Sequence, residues 1–430
     1  MSYTLIDLEL TEQLPSLVVA ENQKGIALIL RWNGRPIGFV MRPRSSTHIL
    51  EREELAQLLS REIGTKVLQE RLRDELGPPT DDRRFPSLTV AICTKDRPEH
   101  LARCLASLMK VKLQRNASQS TKGNAPASYA FEILVIDNAP SDARTRDLVA
   151  SLQASMLGVR YVQEPRPGLD FARNRALCEA SGELIAFLDD DVTVDSLWLC
   201  GLVEAWAENK DAAAFTGLVL PYKLEAEAQV LFEKRGGFRR GFEKLRYGQT
   251  LPGNSVYPCG PGIFGTGCNM AFRRDLLLQL GGFDEALDTG RPLPGGGDLD
   301  IFYRIIRAGH PLVYEPKFLA FHEHRHDLEG LRRQYWSWGL GLMAFITKTY
   351  DQDRSQRRKL VHLIVWWFQD MARQLVESLL GRHALPTGMV WAELWGGVVG
   401  LLGEYARSVK RIKQIRAQYD TGRPGTRGVL

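Results

Sequence analysis

From Ser87 to Glu208 the chain repeats one pattern, a short and nearly unbroken apolar run followed by an amphipathic stretch at helical spacing. The runs are LTVAICT, FEILVIDNA, VRYVQE and ELIAFLDDD, and the stretches behind them are PEHLARCLASLMK, ARTRDLVASLQ, DFARNRALCEA and SLWLCGLVEAWAE. Strands covered on both faces read as continuous Val/Ile/Leu runs, so the alternation predicts the parallel sheet of a doubly wound α/β domain. Ligands of such sheets lie outside the carboxyl ends of the strands. The polar residues that close each run are therefore where chemistry is expected.

On either side of this region the pattern changes. From Gly25 to Arg42, two β-rich runs flank Asn33-Gly34, a dipeptide suited to a tight hairpin because both residues tolerate positive φ. A β-hairpin is expected to begin the protein. Glu51 to Leu76 carries Leu55, Leu58, Leu59, Ile63, Val67, Leu68 and Leu72 at helical spacing, and Gly77-Pro78-Pro79 ends it. The division predicted is a small α+β domain over residues 1–80, the α/β domain over 85–350, and a helical extension over 351–430. Within the α/β domain, Leu113 to Ala130 has no periodicity and reads as a long loop.

Composition changes this picture little. The 430 residues are 44% hydrophobic and 25% charged, as in ordinary globular proteins, and no early apolar run resembles a signal peptide, so the default location is cytoplasmic. Six cysteines without a CxxC pair argue against a zinc knuckle or a disulfide framework and read as reduced thiols. A net charge of +5 is too mild to imply a nucleic-acid partner.

Asp189-Asp190-Asp191, directly after ELIAFL, is the sharpest feature. Three adjacent carboxylates repel one another, and a divalent cation such as Mg²⁺ or Mn²⁺ is the simplest neutralising partner, its shell completed by water and substrate phosphates. The alternative is an acidic turn or helix cap. Thr94 and Arg97 after the first strand and Asp137 after the second add polar groups to the same sheet edge. Arg173 beyond the third supplies a cation for a pyrophosphate. No GxGxxG or Walker loop follows the first strand, which disfavours a dinucleotide enzyme or an NTPase. Further on, His322, His324 and His326 alternate in HEHRH, a spacing compatible with metal ligation on one side of an extended segment.

From about Ser87 to Thr349 these motifs resemble glycosyltransferase family 2, inverting enzymes with the GT-A fold. The resemblance implies a GT-A doubly wound mixed sheet and a nucleotide-sugar donor, with a uridine nucleotide the expected base. Thr94, Arg97, Asp137, Arg173, Asp189, Asp190 and Gly267 are then expected at the donor, and Asp191 with His322 at a divalent metal. Gly265 to Arg273 is similar to the family's glycine loop and Gly281-Gly282-Phe283-Asp284 to its GGFDE element. Gly297-Asp298-Leu299-Asp300 resembles GEDxD, which puts Asp298 at the catalytic base, with Gly297 where Glu is common. Asp300 and Trp338 are expected in acceptor or secondary roles, and His324 is second to His322 as the histidine that completes the metal site or contacts the diphosphate. The QYWSW stretch ending at Trp338 is a faint version of QxxRW, and with Ser337 in place of arginine it gives no ground for processivity. The acceptor expected is a glycan, a lipid-linked sugar or a small molecule. Two rival classes remain open, a sugar nucleotidyltransferase and a non-catalytic sugar-binding module.

In the C-terminal extension each apolar run meets a charge before the roughly twenty residues a membrane span requires. Trp391, Trp395, Val398, Leu401 and Leu402 could insert into a membrane interface while Arg407, Lys410, Arg411, Lys413 and Arg416 meet anionic heads, placing the protein at the inner face of the membrane. The alternative is a helical hairpin packed on the catalytic domain or in a homodimer interface.

Overall fold

A computed structural model describes residues 2–44, 49–76, 85–111, 131–153, 158–290 and 292–420. The loop expected over Leu113–Ala130 and the Gly77-Pro78-Pro79 helix stop lie outside the described residues. The chain opens with strands β1 (Tyr3–Glu9), β2 (Leu17–Val18), β3 (Gly25–Trp32), β4 (Arg35–Pro43) and β5 (Ile49–Leu50), then helix α1 (Arg52–Leu76). The hairpin forms as its Asn33-Gly34 turn predicts, both residues at positive φ (48° and 76°). It does not begin the protein, because β1 pairs parallel to β3 and makes a three-stranded sheet. Arg31 ties that sheet to the α/β region, its guanidinium bridging Asp7 at 2.6 Å and Asp195 at 2.7 Å.

The repeating region folds as β6 (Leu88–Thr94), α2 (Pro98–Leu108), β7 (Glu132–Asn138), α3 (Arg144–Leu152), β8 (Val159–Glu164), α4 (Leu169–Glu179), β9 (Leu184–Asp189), β10 (Val192–Val194) and α5 (Trp198–Glu208). Beyond it come β11 (Ala214–Pro221), α6 (Glu227–Lys234), β12 (Leu245–Tyr247), β13 (Asn269–Arg273), α7 (Arg274–Gln279), α8 (Gly297–Arg307) and β14 (Leu312–His322). These strands form one nine-stranded sheet in the order β10-β14-β11-β13-β9-β6-β7-β8, with β12 also on β14. Strands β9, β6, β7 and β8 run parallel; β13 runs antiparallel between β9 and β11. The sheet is mixed, and its four parallel strands are the four apolar runs read from the sequence. Its two faces are covered by separate apolar clusters, one around Val90, Ile92, Leu101 and Trp198, the other around Ala91, Leu134, Phe187 and Phe272.

Register places the chemistry. Thr94 lies beside Asp137, and Cys93 beside Asp189, so the ends of β6, β7 and β9 form one margin. Val192 pairs with His322, which sets Asp191 against the end of β14.

Among the described residues four α-helices follow β14, α9 (Leu328–Gln352), α10 (Arg357–Leu379), α11 (Thr387–Val399) and α12 (Tyr405–Asp420). Helices α9 and α11 meet backbone to backbone. A Cβ added at Gly339 would collide with the Glu393 carbonyl, and one at Gly396 with the Trp336 carbonyl. Lys348 on α9, 4% exposed, anchors the bundle to the sheet domain through Asp284 (2.7 Å) and Asp300 (2.6 Å), and Tyr405 of α12 donates to Asp284 at 2.8 Å. Replacing Gly396 by Leu should force α11 off α9 and lower stability by about 1–3 kcal/mol, as overpacking does. Thermal unfolding checks this, and an unchanged Tm would contradict the close crossing.

Candidate active site

The carboxylates at the sheet margin are sorted by their partners. Asp190 is turned inward, accepting from the Thr94 hydroxyl at 2.7 Å and from Arg97 at 3.2 Å. Thr94 is thereby 3% exposed and occupied in holding the turn. Arg97 also reaches Asp191 at 3.5 Å, and its side chain is more than a third exposed. Asp137 is fully buried; one oxygen accepts from Tyr161 at 2.9 Å and the other, Oδ1, has no hydrogen-bond partner. Burial raises its pKa, with the Tyr161 hydrogen bond opposing. For Asp189, burial first and then the neighbouring Asp191 push the pKa up to about 7, against the pull of Arg173.

Asp191 differs from its neighbours. Its Oδ1 is buried without a hydrogen-bond partner and lies 3.4 Å from His322 Nε2. A buried carboxylate oxygen is rarely left unpaired. No three His, Cys, Asp or Glu side chains among the described residues form a ready-made metal cage. The donor set nonetheless fits a divalent ion, because Mg²⁺-type sites take one or two protein ligands and complete the shell with water and phosphate oxygens. His322 is pushed down to about 4 by burial, so it stands neutral and able to ligate at neutral pH.

On the opposite wall, α8 begins at Gly296 in a left-handed conformation (φ 106°), and its first turn carries Asp298. Asp298 Oδ2 accepts from the Gly267 backbone N–H at 2.9 Å, while Leu299 N–H reaches Oδ1 at 2.8 Å. Gly267 precedes β13, whose Asn269 pairs with Leu188 just before Asp189, so the glycine loop joins the two walls. A Cβ at Gly267 would stand 3.1 Å from both Arg173 and Asp298.

Arg173, 4% exposed, is clamped by Asp170 at 2.9 Å and Asp288 at 3.2 Å. Asp170 and Asp288 were not legible as site residues. Asp288 has a positive φ of 49° and also accepts from Gly297 N–H at 3.0 Å. Their carboxylates fill the space a Cβ at Gly297 would need, which gives the departure from the GEDxD pattern a steric reason.

The three residues expected in acceptor or secondary roles are all at least partly buried. Asp300 is 1% exposed with one oxygen on Arg304 (2.7 Å) and the other on Lys348 (2.6 Å), a structural ion pair. His324 is buried, bound to His322 and to Glu233 of α6. His326 is exposed and does not join them. Trp338 is half-buried in a cluster with Phe232, Phe238 and Tyr335 at centroid distances of 5.6, 5.8 and 5.4 Å. Phe238 also packs on His322, so this cluster abuts the Asp191–His322 pair.

The chain is similar to known proteins. Residues 89–281 match the profile described as glycosyl transferase family 2. Over 231 residues the chain is 31% identical to the succinoglycan biosynthesis protein ExoM of Rhizobium meliloti (strain 1021), covering 54% of this chain and 64% of that protein. Over 134 residues it is 26% identical to the glucosyl-dolichyl phosphate glucuronosyltransferase of Haloferax volcanii, covering 31% and 39%. The chain thus spans less than two thirds of the length of these curated relatives. Among solved structures, the mannosyltransferase PcManGT of Pyrobaculum calidifontis, in complex with GDP-Man and Mn²⁺, superposes with a TM-score of 0.45 at 17% identity over 85% of this chain and 89% of that one. A mixed sheet whose strand ends gather the motif residues, and a profile match running from β6 through the glycine loop to α7, together place a glycosyl transferase family 2 domain in this chain.

Proposed function

We propose that the chain transfers a sugar from a nucleoside diphosphate sugar, with a uridine nucleotide as the first candidate, to a hydroxyl of a glycan, lipid-linked or small-molecule acceptor, inverting the anomeric centre. The observation that carries this reading is the convergence of Asp191, Gly267 and Asp298 on one margin. The unpaired Oδ1 of Asp137 faces no protein donor and is suited to accept from the N–H of a base. Arg97, the exposed cation, can leave the aspartates to meet phosphate oxygens. Asp191 and His322 would hold the divalent ion, and an imidazole ligand favours a first-row ion such as Mn²⁺ over Mg²⁺. When bound, that ion supplies charge stabilisation for the departing nucleoside diphosphate.

Asp298 is the base. Its contacts are backbone N–H groups rather than cations, which leaves lone pairs free for a hydroxyl. As the acceptor oxygen bonds to the anomeric carbon, its proton passes to Asp298 and the bond to the diphosphate breaks. Arg173, fixed by Asp170 and Asp288, keeps a permanent positive charge beside the carboxylate group. Nucleoside diphosphate release from a panel of donors, with and without EDTA, tests this reading and separates it from its rivals. A nucleotidyltransferase would release pyrophosphate, and a binding module would release nothing. Asp298→Asn should leave donor binding intact and cut turnover by about 10²–10⁴-fold; full activity in that variant would refute the assignment.

The same reading includes a membrane surface as the place of work. No described helix is long and apolar enough to cross a membrane. Helix α10 turns Val361, Val365, Trp366, Val376 and Leu379 to solvent, and the α11 region adds Trp391, Trp395 and Leu402. Val398 and Leu401, also expected to insert, are partly buried, and Leu401 packs against the cluster of Met343 and Trp367. Arg407 and Arg416 are paired with Glu404 and Glu285, whereas Lys410 and Lys413 stay exposed. Between Arg354 and Tyr419 there are eleven Lys and Arg against four Asp and Glu, so the chain's positive charge is concentrated beside these exposed aromatics. That combination suits an anionic interface. The chain should float with vesicles containing anionic lipid and lose that affinity when Trp366, Trp391 and Trp395 are replaced by Ser; unchanged flotation of the triple variant would remove the proposal.

A further inference from the structure

Residues 235–244, between α6 and β12, carry Arg235, Arg239, Arg240 and Lys244. Arg235 pairs with Glu393, Arg239 with Glu233, and Lys244 with Glu315 at 2.9 Å. Arg240 differs, because among the described residues its hydrogen bonds go only to backbone carbonyls. Nε donates to Gly262 at 2.7 Å, and Nη1 donates to Phe238 at 3.2 Å and to Arg239 at 3.1 Å. Those bonds use three of the five guanidinium N–H donors and leave the two on Nη2 without a partner among the described residues. Carbonyls orient such a group without neutralising it. Burial pulls the pKa of Arg240 down, against the opposing pull of Tyr314, Tyr247 and Asp298. A partly buried cation in this state gains most from an arriving anion.

Two contacts fix where the guanidinium lies. The Gly262 carbonyl belongs to the short turn Pro261–Ile263 that leads into the glycine loop, whose Gly267 N–H holds Asp298. Phe264, next in that stretch, packs edge-on against Phe302 of α8 at 6.4 Å, and α8 bears Asp298 in its first turn. Arg240 therefore stands on the Asp298 wall. The charge of Asp298 reaches it, whereas Asp189, Asp190 and Asp191 act on Arg97 across the cleft. There is also room beside it, since a Cβ added at Gly241 or Gly262 would meet nothing within 4 Å.

We propose that Arg240 is a specificity-determining residue that receives an oxyanion of the acceptor, a phosphate or a carboxylate carried close to the hydroxyl that Asp298 deprotonates. This rests on the transfer reading above and adds to it the chemical class of the acceptor. The donor diphosphate has Arg97 on its own side, so the unpaired cation on the base's wall is left for the other substrate. A neutral sugar hydroxyl could accept from Nη2 but would leave the charge uncompensated; an oxyanion does both.

The test uses the full-length chain with UDP and Mn²⁺ present, so that the donor side is occupied. Binding of glucose 1-phosphate, glucuronate and methyl glucoside is measured by saturation-transfer NMR. At least one of the anionic sugars should bind about 10–100-fold more tightly than methyl glucoside. Preference for the phosphate identifies a sugar phosphate such as a lipid-linked one, and preference for the carboxylate identifies a uronate. Arg240→Gln should erase the preference and leave methyl glucoside affinity as it was, and Arg240→Lys should keep part of it. Equal wild-type affinities for all three sugars, or a preference that survives in folded Arg240→Gln, would overturn the proposal. So would a preference lost in Arg97→Gln instead, which would return the anion to the donor site. Wild-type crystals soaked in tungstate as a phosphate mimic should show a peak within hydrogen-bond reach of Arg240 Nη2; none there would overturn the proposal however the variants fold. A chain with the Arg240-dependent preference but no affinity for UDP would uphold the assignment and count against the nucleotide-sugar reading alone.

Discussion

Asp170, Asp189, Asp190, Asp191, Asp288 and Asp298 crowd one margin of the sheet, and the protein tolerates them by threading two arginines between them. Asp170, Asp189, Asp288 and Asp298 all act on Arg173, while Asp189, Asp190 and Asp191 act on Arg97. The two cations are not equivalent. Arg173 is buried and clamped from two sides, whereas the Arg97 side chain is partly exposed. Removing a partner from a buried charge cluster of this kind is far more costly than never having built it. The residual negative charge of the arrangement sits where the proposed nucleoside diphosphate and its counter-ion would lie.

The fold serves this margin by register. Parallel pairing of β6 with β7 and β9 lines up Thr94, Asp137 and Asp189, and the short antiparallel pairing of β10 with β14 sets Asp191 against His322. The antiparallel insertion of β13 then carries Gly267 to the opposite wall, where its N–H holds Asp298. Farther out, Lys348 and Asp300 fasten α8 to the helical bundle, so the helix bearing Asp298, the proposed base, is steadied from behind. Asp298 and Asp300 share a helical turn but have opposite tasks, one facing the cleft and one the bundle.

How much of this was readable in the sequence depended on distance along the chain. The four parallel strands announced themselves as apolar runs, and Asp189–Asp191, Gly267, Asp298 and His322 stood in local motifs. The N-terminal hairpin was legible from Asn33-Gly34, but the parallel addition of β1 was not, because nothing local marks a strand that pairs through space. Asp288 was invisible for the same reason, since it meets Arg173 across 115 residues. Glu233 lies in an unremarkable helical stretch, and only the folded structure puts it beside His324. Asp300 misled because the spacing that marks Asp298 marks it equally, whereas its burial against Lys348 and Arg304 decides its role.

Among these interactions the 3.4 Å approach of His322 Nε2 to Asp191 Oδ1, which has no hydrogen-bond partner, bears most directly on what the protein does. Crystals grown with Mn²⁺ and UDP, measured at the manganese absorption edge, would locate the ion itself. The account predicts one anomalous peak between the Asp191 carboxylate and His322 Nε2, with diphosphate oxygens completing its shell and Asp298 facing the same cleft. A peak bound elsewhere, or a nucleotide seated where Asp298 does not border it, would contradict it.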